Sequence, residues 1–188
     1  MPKHGVVPTM DVQINPSLYG ELLYVIPEEA KTAAGLKKVL ADHPEILFVS
    51  MVGVDLRGND TDEKIPVSTF LSDVDQILAG GVQTDGSSVV LPGIAILNDA
   101  KVDLVADMAC KWIVDYNWEH IHLATGKPVG TLRIPSFLIH AGEAVDSRSV
   151  LSRALKRLND EIISILKERK DAAKAFGFKG SDIDHIIA

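Results

Sequence analysis

Asp85, Gly86, Ser87 and Ser88 form a short run of one carboxylate and two hydroxyls. Gly80 and Gly81 precede it and the apolar run Val89, Val90, Leu91 follows. That context places the cluster at the mouth of a strand, where Gly86 lets the backbone turn tightly. An ionised carboxylate holds an ammonium cation through charge-assisted hydrogen bonds, which are stronger than neutral ones. The Ser88 hydroxyl could accept a further N–H. The Asp85 carboxylate could also take the proton that the nitrogen sheds as it becomes an amide. Asp-Gly and Ser-rich clusters also make ordinary solvated turns, so the residues by themselves leave both readings open. Asp85 and Ser88 are the candidate site residues.

The other chemistry-bearing residues point elsewhere. Glu119-His120-Ile121-His122 spaces two imidazoles for one face of a strand, but zinc asks for three or four ligands. No further ligands stand at a suitable spacing, and a wet edge strand is expected. Gly126-Lys127 has the flavour of a phosphate loop, yet Ile121 occupies the place of the first glycine and Pro128 that of the Ser or Thr. Cys110 has no activating partner in sequence and reads as a small buried side chain. Trp112, Tyr116 and Trp118 read as sheet packing. Asp99, Asp103 and Asp107 recur at every fourth position. Val102, Leu104 and Val105 favour a strand there, so these are expected to be turn and edge acids and not a metal cage.

Composition narrows the class. The chain has 188 residues, 46% hydrophobic and 24% charged, with a net charge of −7. Length allows one sizeable core. A nucleic-acid footprint needs surplus Lys and Arg, and an anionic membrane surface asks for the same; neither partner is expected. One cysteine cannot close an internal disulfide, which fits a reducing cytoplasm. The opening Met1-Pro2-Lys3-His4 has neither a long apolar stretch nor a cleavage site after it. The apolar runs at 46–54 and 89–97 are too short to cross a bilayer.

The elements that must position the cluster can be read next. Residues 1–20 read as an extended arm tied down by Leu22 to Ile26. Pro27-Glu28-Glu29 opens a helix whose apolar face is Ala30, Ala33, Leu36, Val39 and Leu40, and Asp42-His43-Pro44 stops it. A strand at 46–56 turns at Arg57-Gly58-Asn59-Asp60 and returns over 64–67. Ser68 and Thr69 cap a helix carrying Phe70, Leu71, Val74, Ile77 and Leu78, ended by Gly80-Gly81. Strands follow near 87–91, 102–105, 111–116 and 136–140, with a loop over 125–130. Asp146 or Ser147 caps a long helix with the stripe Leu151, Leu155, Leu158, Ile162, Ile165 and Leu166, closed by Phe176-Gly177-Phe178.

This order is α+β. It predicts a β-grasp-like mixed sheet packed on a helix, with an amino-terminal arm and helix and a long carboxyl-terminal helix. The expected divisions are 1–44 (arm and helix), 45–145 (β-grasp domain with a hairpin insert) and 146–188 (linker helix). Ser181-Asp182-Ile183-Asp184-His185-Ile186-Ile187-Ala188 ends as an apolar run begins, and the chain reads as a piece that stops before a strand.

Four short stretches carry a family resemblance. Val52-Gly-Val-Asp-Leu-Arg-Gly58, Lys64-Ile-Pro-Val67, Asp85-Gly-Ser-Ser88 and Asp146-Ser-Arg-Ser-Val-Leu-Ser-Arg153 run in the order found at the front of glutamine synthetases. Over residues 46–160 the chain resembles that family, with Asp85-Gly-Ser-Ser88 the most specific match. The resemblance implies a β-grasp amino-terminal region of an ATP-dependent glutamate–ammonia ligase. Glutamate, ATP and Mg or Mn would be held by a catalytic domain beyond this chain, with no cofactor in this piece. It implies a homo-oligomeric ring in which one subunit lends this loop to a neighbour's active site, Asp85 binding and deprotonating ammonium and Ser88 supporting it. This piece alone would be inactive.

The chain departs from the family pattern at several points. Thr84 stands where an aromatic residue often precedes the motif, the stretch between Leu91 and Val102 is longer than expected, the insert from Tyr116 to Arg133 is not a usual feature, and the arm and helix at 1–44 are extra. Those departures suggest a divergent branch. Two further readings are a non-catalytic assembly module and a ligase joining glutamate to a larger amine.

Overall fold

The computed structural model describes residues 20–85, Val89 and 101–179. Seven strands form one mixed, nearly closed sheet with helices packed against it. They are β1 (Ile46–Val54), β2 (Asp60–Pro66), β3 (Val82–Asp85), β4 (Lys101–Ala106), β5 (Ile113–Ile121), β6 (Pro128–His140) and β7 (Glu143–Ala144). The helices are α1 (Ala33–Asp42), α2 (Val67–Ser72), the single turn α3 (Val74–Gln76), α4 (Ser147–Glu168) and α5 (Lys170–Ala175). The α+β architecture read from the sequence is the one observed.

β6 organises the sheet. Its first part runs parallel to β1 and antiparallel to β5, and its second part pairs with β4 and β7. The exchange of partners falls at Pro135: pairing with β5 begins at Arg133 and pairing with β4 at Ser136. Proline has no N–H to give to a ladder, so a change of partner is where a strand tolerates it. The strand order β2-β1-β6-β4-β3 leaves β3 at one end.

The core forms from the inward positions of these strands and the helices laid over them. Met51, Leu104, Leu132, Ile134 and Leu138 are fully buried with Phe70 of α2, Leu36 of α1 and Trp112. A Cβ on Gly53 would overlap the Leu138 side chain, so this glycine lets β1 sit close over β6. The segment before α1 is part of the same core through Leu22 and Ile26. It lies beside β5, with the Ile26 N–H donating to Trp112 O at 3.0 Å and the Val114 N–H to Tyr24 O at 3.0 Å.

Several element boundaries differ from the expected ones. The helix expected from Pro27 is a 3-10 turn at Glu28–Ala30, and α1 begins after Thr32, whose hydroxyl accepts the Gly35 N–H at 3.1 Å. Lys31 breaks the run. Its ammonium turns inward to donate to Met108 O and Cys110 O at 3.1 and 2.7 Å, and it stands 5.4 Å from the Trp112 ring centroid. Ser68 and Thr69 do not cap α2; Pro66 precedes it, and both lie inside it. Asp73, with φ −151°, then splits the expected helix into α2 and α3. The strand expected at 64–67 starts earlier, at Asp60, because it pairs with β1 from Phe48 to Val54. The short strand expected at 136–140 is the second half of β6, and Pro128 to Gly130 belong to its first half, not to a loop. Asp146 caps α4 as expected, whereas Gly177, with φ 80°, follows α5 and not α4. The strand expected at 87–91 lies outside the described residues apart from Val89, a core residue. The readings of residues 1–19 and 180–188 also lie outside them.

Candidate functional site

β3 carries the candidate carboxylate. It leaves the turn at Ile77–Gly81, where Gly80 has φ 110°, a backbone region that favours glycine. It then pairs antiparallel with β4 through four positions, Val82 with Leu104 and on to Asp85 with Lys101. Asp85 is therefore the last residue of an end strand, and its side chain is exposed while Thr84 before it is buried. The sequence placed Asp85 ahead of a strand; the structure places it at the finish of one. Directly across stands Lys101, an opposite charge at the cross-strand spacing where such pairs interact. A cation arriving at Asp85 meets a carboxylate that already has a positive neighbour. Gly86, Ser87 and Ser88 lie outside the described residues.

A second polar cluster escaped the sequence reading. Asp107 follows β4 and is buried, not an edge acid. One of its oxygens accepts from Arg148 at 2.8 Å and from the Cys110 thiol at 3.1 Å; the other accepts the Ala109 N–H at 3.0 Å. Arg148 also donates to Ser136 O at 3.2 Å and lies 5.0 Å from the Phe137 ring. Asp107 and Cys110 are three apart in a turn, but Arg148 is 41 residues away from Asp107, so no local spacing announces the trio. The cluster seats the first turn of α4 on the sheet. Asp146 supports it by accepting the Ser149 N–H at 2.9 Å and the Ser149 hydroxyl at 2.8 Å.

Burial works to raise the Asp107 carboxyl, and the bonds from Cys110, Arg148 and Ala109 outweigh it, holding the group below its ordinary 3.8. The same carboxylate pushes the Cys110 thiol up, helped by burial. A thiol kept protonated is a poor nucleophile; Cys110 is half-exposed and not buried as expected, because it sits in the turn after β4 beside Asp107 and Arg148. A carboxyl depressed in the fold adds stability that is present above its unfolded value and lost as pH falls through the folded one. Stability is therefore expected to decline below about pH 3.8, the ordinary aspartate value. Asp107→Asn should remove part of that decline in urea denaturation at successive pH values. An unchanged acid limb in the variant would contradict this assignment.

The remaining candidates are structural. His122 accepts or donates through Nδ1 to the Thr125 hydroxyl at 2.9 Å in the β5–β6 turn. Among the described residues no three His, Cys, Asp or Glu side chains are grouped to hold a metal ion. Trp112 donates Nε1–H to Asp107 O at 3.0 Å. Tyr116 Oη accepts the Leu23 N–H and donates to Leu23 O, both at 3.1 Å. Burial and the nearby Glu45 and Tyr24 charges, against the bond from Leu23, leave its phenol pushed up to about 12. Both are packing residues, as expected. A hollow of about 810 Å³ lies on the outer face of β1, β2, β5 and β6, between Phe48, Trp118, Lys64, Asp115 and Arg133. Asp85 is not among its lining residues, and Arg133 within it pairs with Asp60 at 3.1 Å. The residues of the glutamine synthetase-like stretches have fold roles too. Asp55 accepts the Arg57 and Asn59 N–H groups at 2.8 and 2.9 Å to close the β1–β2 turn.

No protein-family model matches the chain, and no curated protein matches it. Among solved structures it is similar to GmaS. A GmaS–ADP complex aligns with TM-score 0.44 and 16% identity over 68% of this chain and 26% of that one. GmaS without ligand aligns with TM-score 0.43 and 17% identity over 65% of this chain and 26% of that one. This chain thus spans about a quarter of the length of each. With TM-scores below 0.5 these overlays assign no reaction to it. No helix is long and apolar enough to cross a membrane among the described residues.

Proposed function

We propose that this chain is the amino-terminal region of a glutamine synthetase-like ligase and that Asp85 is its ammonium-side carboxylate. The observation that carries the reading is the exposure of Asp85 at the tip of end strand β3, where another subunit can reach it. Ammonium binds the carboxylate by charge-assisted hydrogen bonds. Asp85 takes one proton from the bound ammonium and frees the nitrogen lone pair; as ammonia adds to the γ-carbonyl carbon of glutamyl phosphate the nitrogen becomes cationic, and its second proton leaves with the departing phosphate or to solvent. Phosphate then leaves with the electrons of the broken C–O bond. Ser88 supports the ammonium. The catalytic domain would hold glutamate, ATP and Mg or Mn, the ATP giving the phosphoryl group that activates the glutamate γ-carboxylate. The described residues offer no metal cluster, and none of these steps runs through a metal on this chain.

In this reading the 188 residues, purified alone and given ATP, Mg²⁺, glutamate and ammonium, make no glutamine. Glutamine formed by the isolated chain would contradict the assignment. The alternative of a non-catalytic assembly module has one observation in its favour, the exposed apolar stripe along α4. In that case Asp85 substitutions leave the kinetics of the complete ligase unchanged.

A further inference from the structure

We infer that the arm before Gly20 lies across the hollow on the outer face of the sheet, with Met10, Val12 and Ile14 seated in it. The inference goes beyond the proposed function and does not depend on it. Pro8-Thr9-Met10-Asp11-Val12-Gln13-Ile14-Asn15-Pro16 alternates apolar and polar residues from Met10 to Asn15, between two prolines. Strict alternation sorts the side chains of an extended segment onto two faces. Met10, Val12 and Ile14 make a face that needs cover, and Asp11, Gln13 and Asn15 make one for water. A following proline favours extended backbone at Asn15, and prolines are at home at the ends of such a segment.

The hollow offers that cover and fits it in length. Leu47 and Phe48 of β1, Trp118 of β5 and Val129 of β6 line it, and Leu47 and Phe48 are 38% and 37% exposed. There β5, β6, β1 and β2 lie side by side in that order. The hollow therefore crosses three strand spacings, about 14 Å, and an extended Met10–Ile14 segment covers about 13 Å. The chain also enters the described fold beside it. Glu21 O accepts from Lys127 Nζ at 3.1 Å, and Lys127 immediately precedes β6. The N–H and carbonyl of Leu23 both meet Tyr116 Oη at 3.1 Å, and Tyr116 lines the hollow. Ile14 stands six positions before Gly20, a reach of up to about 20 Å, enough to round the end of the sheet. A segment tethered this close meets its seat at an effective concentration of about millimolar. That advantage makes the chain's own arm the occupant, ahead of the arm of a second copy.

Maleimide labelling of single added cysteines in the 188-residue chain tests the seat, with peptide mass mapping to read Cys110 separately. Val12→Cys should label at least about tenfold more slowly than Gln13→Cys, the factor expected from burying one apolar side chain. Ile14→Cys against Asn15→Cys should repeat the contrast, so the result does not hang on one variant. Phe48→Asp alters the hollow and leaves the arm unchanged. It should bring position 12 up to the rate of position 13. Phe48 is already partly exposed, so the circular dichroism should stay that of the parent chain. Equal rates at 12 and 13, and at 14 and 15, overturn the inference. So does protection indifferent to Phe48→Asp. Protection that fades on dilution would give the hollow to the arm of a second copy and overturn it as well.

Discussion

In the complete ligase proposed above, Asp85→Ala is expected to lower ammonium-dependent turnover by about 10²- to 10⁴-fold, the range associated with loss of a positioned acid–base group. Two functions leave together: the anionic seat for the cation and the acceptor for its proton. Asp85→Asn separates them in part. The amide can still accept hydrogen bonds from the bound cation, but it has no charge to attract it and takes no proton, so kcat should remain low while the ammonium KM rises. Asp85 ends β3 with its side chain exposed, so neither change should disturb folding. Assembly and melting temperature should match those of the unaltered protein. Wild-type kinetics in both variants would remove Asp85 from the chemistry and favour the assembly-module reading.

The largest stability effect is expected at Trp112. Its ring is fully buried, its indole N–H is spent on Asp107 O at 3.0 Å, and Lys31 stands 5.4 Å from its centroid. Trp112→Ala empties a large volume and should cost about 3–5 kcal/mol. At roughly 2–4 °C per kcal/mol for a chain of this size, thermal unfolding should fall by about 10 °C. Because Asp107 also holds Arg148, the loss should loosen the seat of α4 as well, and amide exchange at the first turn of α4 should rise. Trp112→Phe keeps most of the volume and lacks the N–H, so it should cost clearly less. Equal losses in the two variants would mean that the hydrogen bond, and not the filled space, sets the effect.

What could be read from the chain and what could not follows from the range of the forces involved. Strand β1 and the cap of α4 were legible because their signals are local: a β-branched run closed by Arg57-Gly58-Asn59, and an acid at a helix start. The break between the 3-10 turn and α1 was not legible, since the outward signs of a helix start at Pro27 are overruled by Lys31 reaching carbonyls at positions 108 and 110. The length of β6 was hidden for a similar reason. Pro128 falls in the loop expected over 125–130, and the expected strand began only at Ser136, yet Pro128 opens β6 and Pro135 sits where the strand changes partners. At the candidate site, Asp85 was legible as a residue type in a turn-forming context. Its place as the last residue of β3, and Lys101 across from it, depend on a pairing that no local pattern encodes. The Asp107–Cys110–Arg148 cluster was missed because Arg148 reaches the Asp107–Cys110 turn from 41 residues away in sequence.

Mixed assemblies put the central claim to its most direct test. One complete ligase carries Asp85→Ala and a second has its catalytic domain inactivated; each alone is inactive. After the two are dissociated together and reassembled, a carboxylate supplied across the subunit boundary predicts that activity returns at hybrid sites combining an intact Asp85 with an intact catalytic domain. A reassembled mixture as inactive as its components would contradict that claim.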